Sequence, residues 1–258
     1  MNASPILIQK QEHIGIITLN RPERLNTFSI QLAKELNKAL LDMDTDQDVR
    51  VIVIKGAGEG FCAGIDITEI EGKSPIELKK WEIVMNEWLK TVTYISKPVI
   101  ASAHKIAVAN GIGIVAAADL AIVAEGTKFG STAINVGLFC MVPAVPLSRC
   151  IGRKKALELL LTGDVITAEE AFRIGLVNKV VPKDQLETET MALAKKLAAK
   201  SPLALQIGKR SFYKMADLEY SKALDMTGND FVILSTTEDS REGIDAFLKK
   251  RFPEWKLK

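Results

Sequence analysis

Apolar and polar positions along the first part of the chain follow two periods, one typical of strands and one typical of helices. Residues 6–8 and 14–19 are short apolar runs separated by a polar segment, which predicts a β-hairpin. From Ser29, a suitable N-cap, apolar residues recur at helical spacing as far as Met43. Residues 51–54 are β-branched throughout and predict a buried strand. Strand, helix and strand in this order predict an α/β fold with a mostly parallel sheet.

The remainder of the chain predicts one further clear strand and then a long helical region. Pro75 begins a long amphipathic pattern, and residues 98–103 after it are again strand-like. From Thr162 onward the pattern is helical. The main helices expected there cover residues 183–200, 202–214, 217–234 and 240–250. We predict a core over residues 1–200 and a C-terminal helical region over residues 201–258.

Two segments rich in glycine and other small residues each follow a predicted strand. The strand predicted at residues 51–54 runs into three glycines and then into Phe61-Cys-Ala-Gly-Ile-Asp66. The aspartate of this segment is suited to cap a following helix. Residues 106–119 contain small residues that permit close backbone approach, namely Ala107, Ala109, Gly111 and Gly113. Each segment alone is most simply an ordinary turn between a strand and a helix. Together they predict two backbone N–H donors aimed at one point, as an oxyanion hole requires.

Composition argues against several classes of function. The 258 residues are 47% hydrophobic and carry a net charge of +2, so neither nucleic acid nor a membrane is predicted as a partner. The longest apolar run, residues 106–118, is shorter than the ~20 residues that span a bilayer. Cys62, Cys140 and Cys150 lack metal-ligand spacing, and the chain has only two histidines, so no metal site is predicted. Reduced thiols, and an N-terminus without a signal-peptide pattern, predict a cytoplasmic location.

Four segments in the same order resemble the crotonase superfamily, the enoyl-CoA hydratase and isomerase family. They are residues 19–26, with the sequence LNRPERLN, residues 61–66, residues 161–182 and residues 242–251. The resemblance implies a crotonase-like spiral of ββα turns with a C-terminal helical trimerisation region. It also implies an acyl-CoA thioester as ligand, no cofactor beyond the coenzyme A of the substrate, and assembly as a trimer or a dimer of trimers.

The resemblance also implies a set of site residues. The oxyanion donors would be the backbone N–H groups of Ile65 and Asn110. Arg24 would hold a phosphate of the nucleotide, for which a guanidinium is suited, and Phe247 and Lys250 would reach the coenzyme A of a neighbouring subunit. A solvated surface charge is an equal alternative for Lys250. The remaining substrate-binding residues implied in this way are Cys62, Ala63, Gly64, Asp66 and Gly111.

The sequence departs from the hydratase pattern where protons are transferred. Aligned without gaps, the two hydratase glutamates fall at Gly113 and Ala133, and neither side chain can transfer a proton. Cys140 is the one reactive side chain in the next segment and is expected to be a buried structural thiol. Glu69 and Glu71 follow the oxyanion motif on a loop that could close over the ligand, but surface charge is the role expected of them.

Asn110 and Lys105 also depart from the family, since both stand where it commonly has glycine. The departures leave three functions open: hydration or double-bond isomerisation of an enoyl-CoA, decarboxylation of a CoA thioester, and acyl-CoA binding with weakened catalysis. Decarboxylation needs the oxyanion hole most and an acid-base pair least, because loss of carbon dioxide itself generates the enolate.

Overall fold

The structure is a computed structural model that describes residues 4–258. Residues 1–3 lie outside the described residues. They begin the N-terminal segment in which the sequence predicts no signal peptide. The strands are β1 (Ile6–Gln11), β2 (Ile14–Leu19), β3 (Val51–Gly56), β4 (Val99–Ala103), β5 (Ile106–Val108), β6 (Leu120–Ala124), β7 (Lys128–Gly130), β8 (Val165–Thr167) and β9 (Lys179–Val181). The helices are α1 (Ile30–Thr45), α2 (Pro75–Tyr94), α3 (Asn110–Ala117), α4 (Ala144–Ile151), α5 (Arg153–Thr162), α6 (Ala168–Arg173), α7 (Leu186–Ala198), α8 (Pro202–Met215), α9 (Tyr220–Ser235) and α10 (Glu238–Leu248).

The strands form two sheets. The larger is six-stranded, in the order β1-β2-β3-β4-β6-β9, and only the β1–β2 hairpin in it is antiparallel. The smaller sheet pairs β5 with β7 in parallel and β7 with β8 antiparallel. The predicted hairpin and mostly parallel sheet are therefore confirmed.

The centre of the larger sheet is buried on both faces, as parallel sheets generally are. In β3, Ile52 and Ile54 join the main core with α1 and α2, whereas Val51 and Val53 pack against α7. Trp88 of α2 is fully buried in the main core. This alternation explains why the β3 sequence is apolar at successive positions.

The helix starts predicted at Ser29 and at Pro75 are confirmed. The Ser29 hydroxyl accepts a hydrogen bond from the Leu32 N–H at 3.2 Å and caps α1. At the start of α2, Ser74 lies directly before Pro75 and forms a capping box with Glu77.

The prediction that the chain is helical from Thr162 onward is wrong for two short segments, β8 and β9. Each has three residues, too few to display a strand period. The β9 strand completes the larger sheet beside β6, and the Asn178 side chain before it accepts a hydrogen bond from the Ala121 N–H at 2.7 Å.

The C-terminal helical region is present and docks on the core through buried polar contacts. Lys209 of α8 donates to the carbonyl oxygens of Val92 and Lys97, each at 2.9 Å, and pairs with Asp119 at 2.7 Å. Tyr213 donates to the other oxygen of Asp119 at 2.9 Å. The division between residues 1–200 and 201–258 stays a prediction.

Candidate active site

The loop between β2 and α1 is fixed to the first glycine turn by a buried asparagine. Asn26 is fully buried, and its amide donates to the carbonyl oxygens of Ala57 and Gly60 at 2.9 and 2.7 Å. Its side-chain oxygen accepts from the Arg21 N–H at 2.8 Å. Arg24 lies exposed on this loop, one residue before Leu25, whose carbonyl accepts from Ala63 at 3.0 Å. The structure thus brings the Arg24 backbone beside the segment 61–66.

The segment 64–66 runs beside Phe28 in a way that leaves one N–H free. The Phe28 N–H donates to the Gly64 carbonyl, and the Asp66 N–H donates to the Phe28 carbonyl, both at 2.8 Å. The N–H of Ile65 between them has no hydrogen-bond acceptor among residues 4–258. Ile65 itself is half-buried.

The second turn lies directly against the first. The Val108 N–H donates to the Cys62 carbonyl at 3.0 Å. A Cβ atom on Gly111 would lie 2.2 Å from that same carbonyl oxygen, and a Cβ on Gly64 would lie 2.9 Å from the Cβ of Ala109. Only glycine at these two positions allows the turns to approach so closely.

Asn110 is the first residue of α3, so its backbone N–H belongs to the first turn, where helix N–H groups lack partners within the helix. Ala109 before it has φ of 49°, a conformation that is costly for a residue with a side chain. The free N–H groups of Ile65 and Asn110 therefore belong to two turns in backbone contact.

Asp66 does not cap a regular helix as predicted. Only a short 3₁₀ turn, Ile67–Glu69, follows it, and its side chain makes no capping bond there. Instead, the carboxylate accepts from the Thr68 hydroxyl at 2.7 Å and pairs with Arg21 at 3.1 Å. The Thr68 hydrogen bond, followed by that of Arg21, lowers the pKa of Asp66. Arg21 was missed by sequence reasoning, although it lies in the first family-like segment.

Glu69 is a connection between elements rather than the expected surface charge. Its carboxylate accepts from the Ile30 N–H at 3.0 and 3.1 Å and from the Trp81 indole at 3.2 Å. It therefore joins the segment after Asp66 to the first turn of α1 and to α2. Glu71 is exposed, as expected.

The two positions aligned with hydratase glutamates lie on α3 and in the turn that follows β7. A Cβ on Gly113 would stand 3.1 Å from the Cβ of Pro143. Ala133 is half-buried in a 3₁₀ turn, Thr132–Val136. Cys140 is buried, and burial raises the pKa of its thiol. A larger side chain at position 113 would need Pro143 to move.

Other predicted residues are placed less directly. Burial raises the pKa of the Cys62 thiol to about 12, so this side chain is neutral. The contact of Cys62 with β5 is made by its backbone carbonyl. Lys105 has φ of 57°, a conformation that favours glycine, and its side chain pairs with Glu59 at 2.5 Å. Phe247 and Lys250 are exposed at the end of the C-terminal region, and their role stays a prediction.

A separate cavity of about 420 Å³ lies between the larger sheet and α7. Its lining includes Lys55, Ser102, His104 and Thr190, and the predicted site residues lie elsewhere. Within residues 4–258, no cluster of three potential metal ligands occurs. Over the same part of the chain, every helix is too short or too polar to cross a membrane.

Known proteins share both the sequence pattern and the fold. Residues 9–258 match the sequence model of the enoyl-CoA hydratase/isomerase family. The chain is 36% identical over 249 residues to enoyl-CoA hydratase domain-containing protein 3, mitochondrial, of Rattus norvegicus, covering 96% of this chain and 83% of that protein. It is 30% identical over 253 residues to the short-chain-enoyl-CoA hydratase of Clostridium acetobutylicum, covering 97% of each.

A crystal structure of an enoyl-CoA hydratase from Mycobacterium smegmatis matches with a TM-score of 0.94 at 36% identity, over 97% of this chain and 98% of that one. The crotonase-like α/β fold with a helical C-terminal region is thus confirmed. The chain belongs to the enoyl-CoA hydratase/isomerase family.

Proposed function

We propose that this protein binds an acyl-CoA thioester and stabilises an enolate of that thioester at the backbone N–H groups of Ile65 and Asn110. The observation that carries the proposal is that two free N–H groups belong to turns held in contact at Gly64 and Gly111. Negative charge that develops on the thioester oxygen would be stabilised by both donors. Removal of one such donor elsewhere costs about 3 kcal/mol of transition-state stabilisation.

The coenzyme A part of the ligand needs contacts of its own. Arg24 would pair with a phosphate, since it is exposed on the loop beside segment 61–66. The part of the site that holds the thioester would be shaped by the backbone of Cys62, Ala63, Gly64, Asp66 and Gly111. Phe247 and Lys250 would contact the coenzyme A of a neighbouring subunit in a trimer or a dimer of trimers.

The reaction most consistent with this site is one that depends on the enolate more than on a pair of carboxylates. We assign Gly113 and Ala133 to the two glutamate positions of hydratases, so a two-glutamate hydration mechanism is not part of the proposal. Decarboxylation of a CoA thioester is the second candidate. The close approach of Gly113 to Pro143 favours it, because a carboxylate side chain at position 113 would be crowded.

Two substrates distinguish the candidates. Purified protein is incubated with crotonyl-CoA, with loss of the enoyl absorbance measured, and with malonyl-CoA, with release of carbon dioxide measured. Turnover of crotonyl-CoA supports hydration or isomerisation, and release of carbon dioxide supports decarboxylation. Binding of both esters without turnover would indicate a catalytically weakened acyl-CoA binder, and no binding of either would overturn the proposal.

A glycine substitution tests whether the contact between the two turns carries the activity. Gly64→Ala places a Cβ 2.9 Å from that of Ala109 at φ of 109°, which should separate the donors and reduce turnover about a hundredfold. Gly126→Ala is the matched control, because Gly126 also has positive φ, at 75°, and has no atom within 4 Å of an added Cβ. Equal activity in the two variants would contradict the assignment.

A further inference from the structure

Two buried polar side chains beside the candidate oxyanion donors lack hydrogen-bond partners. Asn110 is 6% exposed and Ser131 is 1% exposed. The amide nitrogen of Asn110 and the hydroxyl of Ser131 find no partner among the described residues. A buried polar group without a partner is uncommon in folded proteins, because it loses its hydrogen bonds to water and gains none in return. Two of them in one place therefore suggest a ligand.

The smaller sheet brings these two residues together. Strands β5 and β7 are parallel, with Val108 opposite Gly130, and the Ala109 N–H donates to the Gly130 carbonyl at 2.9 Å. Asn110 and Ser131 come next after these pairs, so they follow the ends of neighbouring strands. Asn110 thus carries both an unpaired side-chain amide and the backbone N–H that is one candidate oxyanion donor.

A third polar group lies close to Ser131. The Ser131 hydroxyl is among the neighbours that partly offset the rise in the pKa of the Cys140 thiol, a rise caused mainly by burial. The thiol is therefore protonated near neutral pH and is itself a weak hydrogen-bond donor. The amide, the hydroxyl and the thiol all offer hydrogens, and all are uncharged.

We propose that the side chains of Asn110 and Ser131 form a polar subsite for an uncharged oxygen on the acyl group, such as the 3-oxo oxygen of a 3-oxoacyl-CoA. The proposal rests on the proposed function, because it takes the acyl group to lie beside the Asn110 N–H. An amide donor and a hydroxyl suit an acceptor oxygen. A carboxylate is a poorer fit, because burial of a negative charge beside neutral donors costs more than burial of a carbonyl.

Binding of three CoA thioesters tests this subsite. Acetoacetyl-CoA carries the 3-oxo group, butyryl-CoA has the same chain length without it, and malonyl-CoA carries a carboxylate. Calorimetric titration of the intact protein should give an affinity for acetoacetyl-CoA about tenfold higher than for butyryl-CoA, with malonyl-CoA weaker than acetoacetyl-CoA. In Ser131→Ala and in Asn110→Ala, the ratio between acetoacetyl-CoA and butyryl-CoA should fall towards one.

Ser102→Ala is the matched control. Ser102 is also a buried serine, but its hydroxyl bonds to that of Thr190 at 2.9 Å, away from the candidate site. This variant should keep the preference for acetoacetyl-CoA while its melting temperature falls. Ser131→Ala should lower the melting temperature less than Ser102→Ala, because the Ser131 hydroxyl has only the weakly bonding Cys140 thiol beside it whereas the Ser102 hydroxyl bonds to Thr190.

The outcomes separate this inference from the proposed function. Equal affinity for acetoacetyl-CoA and butyryl-CoA in the native protein, or an unchanged preference in Ser131→Ala, would overturn the subsite and leave acyl-CoA binding intact. A preference for malonyl-CoA would overturn the choice of an uncharged oxygen. Failure of the native protein to bind any of the three esters would overturn the proposed function and the subsite with it.

Discussion

At the scale of single residues, the candidate site is assembled from backbone conformations that most residues avoid. Leu25, Asn26, Lys105 and Ala109 all have positive φ, between 48° and 57°. They lie in three connections around segment 61–66, namely the β2–α1 loop, the β4–β5 turn and the β5–α3 turn. Such conformations cost of order 1–3 kcal/mol each unless their surroundings fix them. Here the Asn26 hydrogen bonds and the close contact between Gly64 and Ala109 supply those surroundings.

Gly111 should be the least replaceable residue of the site. In Gly111→Ala, the new Cβ would lie 2.2 Å from the Cys62 carbonyl oxygen, a backbone atom that no side-chain rotation can relieve. We expect a loss of about 1–3 kcal/mol in the free energy of unfolding, measured in urea, together with loss of acyl-CoA binding. Gly208→Ala, on α8 with no atom within 4 Å, should be neutral or stabilising. A Gly111→Ala variant as stable as Gly208→Ala would contradict this packing.

Asp66 should make a contribution to stability that depends on pH. Its pKa is lower in the folded protein than in the unfolded chain, so this contribution is complete above the unfolded-state pKa of about 3.9 and is lost as the pH falls through the folded-state value. We therefore expect Asp66→Asn to cost roughly 1–2 kcal/mol near neutral pH and progressively less below about pH 4.

Urea unfolding of the native protein and of Asp66→Asn across this pH range measures the difference in their free energies of unfolding. Asp42→Asn is the control, since Asp42 pairs with Lys38 on the exposed face of α1 and should change stability by less than about 0.5 kcal/mol. If the cost of Asp66→Asn stayed constant down to about pH 2.5, a pairing of the ionised carboxylate would be ruled out.

At the scale of elements, the sequence predicts those that carry their own local signals. Ser29 and Pro75 mark the starts of α1 and α2, and residues 51–54 mark a buried strand. The strands β8 and β9 carry no comparable signal, because three residues show no period and their partners lie far away in the chain. Long-range pairing, rather than local preference, determines them.

Within the candidate site too, features with a local sequence signal can be predicted, whereas contacts between residues distant in sequence cannot. The glycine turns were visible in the sequence, because small residues have a local meaning at a tight contact. The pairing of Arg21 with Asp66, and the bonds from Glu69 to α1 and α2, join residues that are distant in sequence. Charged residues in a loop give no local sign of such partners.

Lys209 should be the main polar anchor of α8 on the core. Its side chain is 6% exposed, and its three polar contacts are all with the core. Lys209→Met should lower the free energy of unfolding by roughly 3 kcal/mol, because it leaves Asp119 without its buried cation. Lys38→Met, which removes an exposed pair on α1, is the control and should cost less than about 0.5 kcal/mol. A small effect at Lys209 would mean that apolar packing alone holds α8.

At the scale of the whole molecule, the C-terminal region exposes large apolar side chains close together on one helix, as surfaces that bind a partner often do. Helix α9 has 16 residues, and none of them is buried. Phe231, Val232 and Ile233 on this helix are 69%, 60% and 58% exposed. Helices in proteins gain most of their stability from packing of an apolar face. A second copy of the chain is the partner that we expect to cover this surface.

Sedimentation velocity tests the expectation of self-association. The native protein should sediment as a trimer or a dimer of trimers, and Phe231→Asp should shift it towards smaller species, because a buried carboxylate at an interface is costly. Leu41→Asp, on the exposed face of α1 and 45% exposed, should leave the sedimentation coefficient unchanged. If assembly brings Phe247 and Lys250 to a neighbouring site, Phe231→Asp should also weaken acyl-CoA binding. A native protein that sediments as a monomer would contradict both expectations, because Phe247 and Lys250 would then have no neighbouring site to reach.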